Sequence, residues 1–425
     1  MIRILHTADW HLGQNFFGYD RTEEQEHFLI WLSEQITMRD VDVLIIAGDV
    51  FDVSNPSALS QRMFYRFIRR VTAGSPHLQL VIVAGNHDSA ARLEAPVPLL
   101  HELNTTVKGV IRKYNGEIDY DDLIVELKNK AGQVEAYCLA VPYLRQGDYP
   151  AVETEGNAYA EGVKELYRQL TDCVLEHKAP EQAIVAIGHL QATGSEIAEK
   201  DYSERTIIGG LECVSPEAFS PEIAYAALGH IHKAQRVSGK ENVRYAGSPV
   251  SMSFAEKHYQ HGVVEVVLEN GKLQSIEKII YTPLVSMLSV PSGQADSPEK
   301  VLELLEELPL RTDENSDVLA PYLEVKVLLD EPEPMLRQQI EDILADKHVC
   351  LARIVSVYRN VDTTVSEEEI MAIGLQEMTP LQIVQSTFER IYQTDMPEEM
   401  VELFHQVCQG IYSDQKDGTN ELPLP

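Results

Sequence analysis

The chain begins with Ile4-Leu5-His6-Thr7-Ala8-Asp9-Trp10-His11, an apolar segment that ends in an acid and a histidine. We predict a strand over residues 2–6. Asp9 and His11 are two residues apart, so in an extended segment their side chains project to the same side. A carboxylate and an imidazole together at the end of a buried strand make half of a metal site. We expect later parts of the chain to supply the other half.

Outward from this strand, the apolar pattern predicts alternating strands and helices. Their β-α-β-α-β order implies a mostly parallel sheet with right-handed crossovers. The predicted helices are 21–39, 57–73, 89–103 and 158–177, and the further strands are 43–47, 78–83, 134–141, 183–187 and 223–228. Residues 243–246, 262–268 and 273–281 are predicted as antiparallel strands, with a hairpin turn at Asn270-Gly271, and 112–133 as a loop or β-excursion.

Polar motifs follow the predicted strands. After the first, they are Gly48-Asp49, Gly85-Asn86-His87-Asp88, Gly188-His189 and Gly229-His230-Ile231-His232. Parallel strands bring their carboxyl ends to one crevice. The candidate donors there are Asp9, His11, Asp49, Asn86, His189, His230 and His232. This set is too large for one four-coordinate metal and suits two metals about 3.5–4 Å apart that share a carboxylate. Without a thiolate it suits manganese or iron, and zinc is also compatible.

The carboxylates of Asp9 and Asp49 neutralise only part of the positive charge of two divalent ions. The pocket would therefore attract a phosphate oxyanion. A water bound to such metals becomes a nucleophile near neutral pH. His87 is left over beside Asn86, and it is the candidate to orient the phosphate or protonate the leaving oxygen. Asp52 and Asp88 could orient histidines or could serve as turn carboxylates, and the sequence leaves both readings open.

Length, composition and net charge limit the classes of protein to which the chain can belong. A chain of 425 residues predicts two or three domains. No apolar run reaches the roughly 18 residues that span a bilayer, and we expect no signal peptide. The five cysteines are scattered without a CxxC pair, which favours a reducing cytoplasm. The formal net charge of −32 argues against a free-standing nucleic-acid binder.

The pattern of predicted strands and helices changes after Pro283. A smaller α/β unit is predicted there, with strands at 284–290, 322–329 and 351–358 and helices at 298–308 and 334–345. Two amphipathic helices are predicted over 379–412. The tail 413–425 is polar and rich in proline, and we expect it to be disordered.

The ordered motifs DxH, GD, GNHD, GH and GHxH resemble those of the calcineurin-like metallophosphoesterases. A closer resemblance, to the bacterial SbcD family of nuclease subunits, covers nearly the whole chain. It rests on the stretches 4–13, 47–52, 84–89, 227–232 and 245–249. The family fold is α/β, a β-sandwich flanked by helices, with a small α/β capping domain and a C-terminal helix pair. The resemblance implies one manganese on Asp9, His11, Asp49 and His232, and a second on Asp49, Asn86, His189 and His230. It makes His87 the catalytic residue that binds no metal.

The resemblance also implies a domain plan and partners. The plan is a nuclease domain 1–283, a capping domain 284–360, a linker 361–378, a helix pair 379–412 that docks on the ATPase partner, and a disordered tail 413–425. The implied activity is DNA exonuclease on double-stranded ends and endonuclease at hairpins, in DNA repair, recombination and replication. The chain would work as a homodimer within a heterotetramer with an SbcC-type ATPase. That partner could carry much of the DNA-binding surface, so a nuclease subunit with a net charge of −32 need not be basic itself.

Several alternatives stay open. A stand-alone phosphatase or phosphodiesterase would hydrolyse a small substrate without a partner, but it leaves 284–412 unexplained. A non-catalytic scaffold of the ATPase should lack a donor or His87, and none is missing. The arginines of helix 57–73 could contact DNA phosphates or form a solvated face. Helices 21–39 and 57–73 are our expected dimer surface.

Overall fold

The computed structural model of the chain describes residues 1–154, 156–196, 213–312 and 319–359, together with Phe388, Pro397, Met400 and Val401. These residues fall into two compact units: residues 1–289, 311–324 and 348–353 form one, and 290–310, 325–347 and the described residues from 354 onward form the other.

The strands, in chain order, are β1 (Ile2–Thr7), β2 (Asn15–Phe16), β3 (Tyr19–Asp20), β4 (Val43–Ala47), β5 (Gln79–Val83), β6 (Thr105–Lys108), β7 (Lys113–Tyr114), β8 (Glu117–Ile118), β9 (Ile124–Lys128), β10 (Val134–Ala140), β11 (Ala183–His189), β12 (Gln191–Ala192), β13 (Cys213–Val214), β14 (Ile223–Gly229), β15 (Gln235–Val237), β16 (Lys240–Tyr245), β17 (Gly262–Glu269), β18 (Lys272–Ile280), β19 (Met287–Val290), β20 (Tyr322–Leu329) and β21 (Cys350–Tyr358). The α-helices are α1 (Thr22–Met38), α2 (Ala58–Gly74), α3 (Ala90–Glu94), α4 (Val97–Leu100), α5 (Ala158–Leu175), α6 (Pro298–Glu306) and α7 (Leu336–Leu344).

The first large sheet has the strand order β18-β17-β1-β4-β5-β6. Strands β1, β4, β5 and β6 run parallel, and β17 is antiparallel to β1. Helices α1 and α2 cover one face of this sheet through a core that contains Trp10, Phe28, Phe64 and Phe67. Trp10 packs edge-on against these three phenyl rings and donates its indole N–H to Thr7. It is therefore a core residue.

The second large sheet has the order β15-β16-β14-β11-β10-β9, and α5 packs on one face of it. The other faces of the two sheets meet in a layer to which no helix of the described ranges contributes. Both sheets supply small or branched residues to this layer, among them Ile4, Ile45, Val83, Ala140, Val185 and Ala227. The chain thus forms a β-sandwich flanked by helices, which confirms the predicted α/β class.

Three of the four helices predicted before residue 180 are confirmed as α1, α2 and α5. The fourth, predicted over 89–103, is wrong. It breaks into α3, α4 and a 3₁₀ turn at His101–Leu103, with Pro96 preceding α4 and Pro98 in its first turn. Proline has no N–H to donate and its ring blocks the preceding turn, so a continuous helix cannot pass through these positions.

The antiparallel strands predicted late in the sandwich are only partly correct. The hairpin of β17 and β18 around Asn270-Gly271 is confirmed. Residues 243–245 instead form the end of β16, which is antiparallel to β15 but parallel to β14. The polar segment 112–133 contains the short strands β7 and β8 and then β9.

The segment after residue 283 has the predicted order of strands and helices. Strands β19, β20 and β21 form a three-stranded sheet with β20 in the centre. Helix α6 buries Val301 and Leu305, and α7 buries Ile340 and Leu344. The linker 361–378, the helix pair 379–412 and the tail 413–425 lie outside the described residues, apart from four isolated positions. Within the described ranges, no helix is long and apolar enough to cross a membrane.

Candidate metal centre

Three neighbouring parallel strands, β1, β4 and β5, turn into polar loops at the same edge of the first sheet. Asp9 N donates to Gly48 O at 3.1 Å, and His11 N donates to Asp49 O at 3.0 Å. Asp9, His11 and Asp49 have positive φ angles of 53°, 45° and 48°. This backbone is uncommon outside glycine and costs free energy. Paired loops therefore hold three of the predicted donors in strained positions.

Glycines allow these loops to approach one another and the second sheet. A Cβ on Gly85 would lie 2.1 Å from Asp49 Oδ1, and a Cβ on Gly48 would lie 2.1 Å from His189 Nδ1. A Cβ on Gly229 would lie 1.9 Å from Ala47 O. No real side chain fits at these distances, so the glycines are required by the close packing of the site.

The second sheet brings three histidines to the same edge. Strand β11 ends at His189, and β14 ends just before His230 and His232. His230 N donates to Asp9 Oδ1 at 2.9 Å, and His189 Nδ1 lies 2.8 Å from Ala47 O. These bonds join the strand ends of the two sheets.

The first group of donors consists of Asp9, His11 and His232. All three are buried, and one ligand atom of each lies within 4.8 Å of the others. Asp9 Oδ2 and His11 Nε2 have no hydrogen-bond partner within the part of the chain that the structure describes. A buried polar atom without a partner costs about 1–3 kcal/mol. A cation between these atoms would remove that cost, so the group fits a metal ion.

The second group lies beside it and contains Asp9, Asp49 and His189. Asn86 Oδ1 lies 2.9 Å from His189 Nε2 and 3.1 Å from His230 Nδ1, so the amide and His230 join this group. Asp49 Oδ2 lies 3.3 Å from His189 Nε2 and 3.6 Å from the Nε2 of His11 in the first group. All seven candidate donors therefore meet at one place.

Hydrogen bonds from outside orient the histidine rings. His11 Nδ1 lies 3.2 Å from Asp52 Oδ1, and His189 Nδ1 donates to Ala47 O. In both rings the Nε2 atom is left facing Asp49. His232 Nδ1 lies 2.9 Å from Glu256 Oε1. We did not predict Glu256 from the sequence, because no local pattern connects it to a histidine in a different loop.

The two acidic residues left open by the sequence have different roles. Asp52 is the hydrogen-bond partner of His11. The Asp88 carboxylate instead accepts backbone N–H groups from Val50, Phe51 and Gly85, at 3.1, 2.9 and 2.9 Å. Burial, together with the charge of Asp49, raises the pKa of Asp88 to about 6 in spite of these bonds. Asp88 is thus a turn carboxylate that holds two of the site loops together.

The electrostatics of the centre favour a cation. Burial would raise the pKa of Asp49, but the charges of His189 and His11 outweigh it and hold this pKa below its usual range. Burial lowers the pKa of His189, but Asp49 and Asp9 outweigh it and raise this pKa to about 9. Burial also lowers the pKa of His230 to about 3, which keeps this ring neutral and able to bind a metal. A divalent ion would replace the proton that the carboxylates attract to His189.

His87 lies at the edge of the centre and is only partly buried. Its backbone N–H donates to Asp49 Oδ1 at 2.9 Å, and its Nδ1 lies 2.8 Å from Asp52 O. Its ring packs edge-on against that of His11, with 4.8 Å between centroids. The bond at Nδ1 fixes the orientation of the ring beside the donor groups.

Comparison with known families defines the class of protein. A family model of calcineurin-like phosphoesterases matches residues 2–234, which is more than half of the chain. A model described as the type 5 capsule protein repressor C-terminal domain matches residues 283–392. The fold and the donor set agree with the first match: this is a calcineurin-like phosphoesterase that uses divalent metal ions.

Similarity to individual proteins identifies the family within this class. The SbcD subunit of the SbcCD nuclease of Rhodobacter capsulatus is 37% identical over 341 residues, which cover 78% of this chain and 81% of the relative. The protein of the same name from Escherichia coli K12 is 35% identical, covering 71% and 74%, and that of Bacillus subtilis is 29% identical, covering 67% and 71%. The chain belongs to the SbcD family of SbcCD nuclease subunits, as the sequence motifs indicate.

Proposed function

We propose that the chain is the DNA nuclease subunit of an SbcCD-type complex. It would hydrolyse backbone phosphodiesters, as an exonuclease on double-stranded ends and an endonuclease at hairpins, in DNA repair and recombination. The observation that carries this proposal is the meeting of seven oxygen and nitrogen donors at one edge of the sandwich. The relatives are named nucleases, and no comparable support exists for a stand-alone phosphatase.

We assign two manganese ions to the centre. Asp9, His11, Asp49 and His232 would hold the first, and Asp49, Asn86, His189 and His230 the second. Carboxylate, amide and imidazole ligands without a thiolate suit manganese. The position of Asp49 Oδ2 close to histidines of both groups supports its role as the shared ligand. When bound, the ions supply Lewis acidity toward the phosphate and lower the pKa of a bound water.

His87 is the proposed catalytic residue of this chain. Its Nδ1 donates to Asp52 O, and this fixed ring orientation supports a role for the other ring nitrogen, Nε2, at a phosphate bound at the centre. From there it can hold a phosphate oxygen or give a proton to the leaving oxygen. General acid catalysis of this kind contributes typically about 10²–10⁴-fold to a rate.

The rest of the chain is assigned by family. We propose that residues 284–360 cap the site, and that the helix pair 379–412 docks on an SbcC-type ATPase. Two copies would form a homodimer within a heterotetramer in the cytoplasm. The match of a second family model over residues 283–392 supports a distinct C-terminal region. The net charge of −32 suits a protein that shares its DNA-binding surface with a partner.

The test is a cleavage assay with the full-length chain, manganese and a hairpin-ended DNA duplex, with and without the ATPase partner. The parent should cut the duplex, and His87→Ala should lose about 10²-fold or more. His101→Ala, at an exposed histidine, is the matched control and should cut like the parent. If His87→Ala cuts as well as the parent, the role of His87 is wrong. If only small phosphomonoesters are hydrolysed, the nuclease proposal fails.

A further inference from the structure

Glu256 is a fully buried carboxylate next to the metal centre. It ends a 3₁₀ turn, Phe254–Glu256, that is capped by Ser253. Its side chain is 0% exposed. Oε1 lies 2.9 Å from His232 Nδ1, and Oε2 accepts the backbone N–H of Met252 at 2.8 Å. Burying a carboxylate costs free energy unless the carboxylate is paired. The burial of Glu256 therefore indicates that its contact with His232 has a function.

We propose that Glu256 is a positioning residue for the metal that His232 binds, an inference that rests on the proposed function. A carboxylate that accepts from Nδ1 fixes the proton there and leaves the Nε2 lone pair for the metal. It also makes the ring a stronger ligand. One ring nitrogen of His232 lies within 4.8 Å of the ligand atoms of Asp9 and His11. Since Nδ1 lies at hydrogen-bond distance from Glu256, we assign Nε2 as the nitrogen that binds the ion.

The loop that carries Glu256 is held independently of any metal. Arg21 Nη1 donates to Ser251 O at 2.7 Å. Ser251 Oγ lies 2.9 Å from His261 Nε2, and His261 Nδ1 donates to Ser248 O at 2.9 Å. Arg21 is itself buried and paired with Glu24. These bonds hold the loop of Glu256 in position, and none of them uses a candidate metal ligand.

Glu256 differs from the partners of the other ligand histidines. His189 donates to a neutral carbonyl, and the Asp52 side chain beside His11 is 27% exposed. Solvent weakens the influence of a partly exposed charge on its neighbours. Among the described residues that bond to a ligand histidine from outside the donor set, Glu256 is the fully buried carboxylate. Its removal should thus affect the ion on His232 more than the other ion.

The test is a titration of Glu256→Gln with manganese. Binding is measured by calorimetry and by the EPR signal of free Mn²⁺. We expect one of two binding events to weaken by about 10–100-fold, the usual effect of losing such a partner, while the other is unchanged. Glu265→Gln is the matched control, because Glu265 is also buried but pairs with Arg3 and Arg39. It should bind both ions like the parent. Equal affinities in Glu256→Gln and the parent would overturn the proposal.

A second measurement needs no variant. In ¹⁵N NMR of the parent loaded with diamagnetic Zn²⁺, His232 should carry its proton on Nδ1, in a hydrogen bond that shifts this proton downfield. A His232 ring protonated on Nε2 would overturn the proposal even if Glu256→Gln does not fold. Both readouts are independent of DNA cleavage. If the parent binds no manganese, the proposed function is wrong. If the parent binds two ions and Glu256→Gln binds both with the same affinities, only the role of Glu256 is wrong.

Discussion

Asp49 faces histidines of both donor groups, which also share Asp9. Its Oδ1 accepts from His87 N, and its Oδ2 faces His11 and His189. The sequence could predict the residue, because a Gly-Asp pair follows an apolar strand. It could not predict the positive φ of 48°, because that angle depends on loops brought together by the whole sheet. Glycines around Asp49 make this position possible.

Gly85→Ala tests that packing. The new Cβ would lie 2.1 Å from Asp49 Oδ1 and 2.3 Å from Asp49 N, so the aspartate must move. Misplacing a group by about 1 Å can cost about 10²-fold in rate, and we expect hairpin cleavage to fall by at least that much. Gly74→Ala, where a Cβ meets nothing within 4 Å, should cleave like the parent. Parent-like cleavage by Gly85→Ala would show that Asp49 need not be held there.

His6 predicts a pH dependence of stability. It is fully buried, its Nδ1 lies 2.9 Å from Tyr225 OH, and burial lowers its pKa from 6.5 to about 3. The contribution of neutral His6 is complete above pH 6.5. It is lost as the pH falls toward 3, because only the unfolded chain takes up the proton over that range.

We expect His6→Gln to reduce the slope of unfolding free energy against pH by up to about 1.4 kcal/mol per pH unit between about pH 6 and 4. Urea unfolding of the metal-free chain at several pH values measures this slope. The same slope in both proteins would mean that His6 is protonated in the folded chain.

At the scale of elements, the strands that lead to the site were predictable and several connections were not. After β1, each strand that leads to the site carries an apolar run followed by glycine and a polar residue, a pattern that is local in sequence. Glu256 belongs to a loop between β16 and β17, and it meets His232 only after the two sheets pack. The break between α3 and α4 was readable from Pro96 and Pro98, but the helical pattern of apolar residues obscured it.

The layer between the sheets fixes the distance between their strand ends. Ile45 lies in it and is 0% exposed. Ile45→Ala should lower the unfolding free energy by about 2–5 kcal/mol. Ile280→Ala, at a side chain that is 50% exposed on β18, should change it by only about 0.5 kcal/mol. Equal losses in chemical denaturation would contradict the role of this layer.

At the scale of the whole molecule, the metal centre exists only when the sandwich is complete. The first sheet supplies Asp9, His11, Asp49 and Asn86, and the second sheet supplies the three histidines. Metal binding should therefore stabilise the fold, by about 2.7 kcal/mol when free metal is 100 times its Kd. Denaturant unfolding with manganese and with a chelator measures the difference. Equal midpoints would mean that the ions do not bind the folded chain selectively.

EPR of the manganese-loaded chain tests the central claim most directly. With Asp49 as a shared ligand, we predict two Mn²⁺ per chain with exchange-coupled spins, and loss of the coupling in Asp49→Asn. A single ion at saturation, or two uncoupled ions in the parent, would contradict a centre that Asp49 bridges.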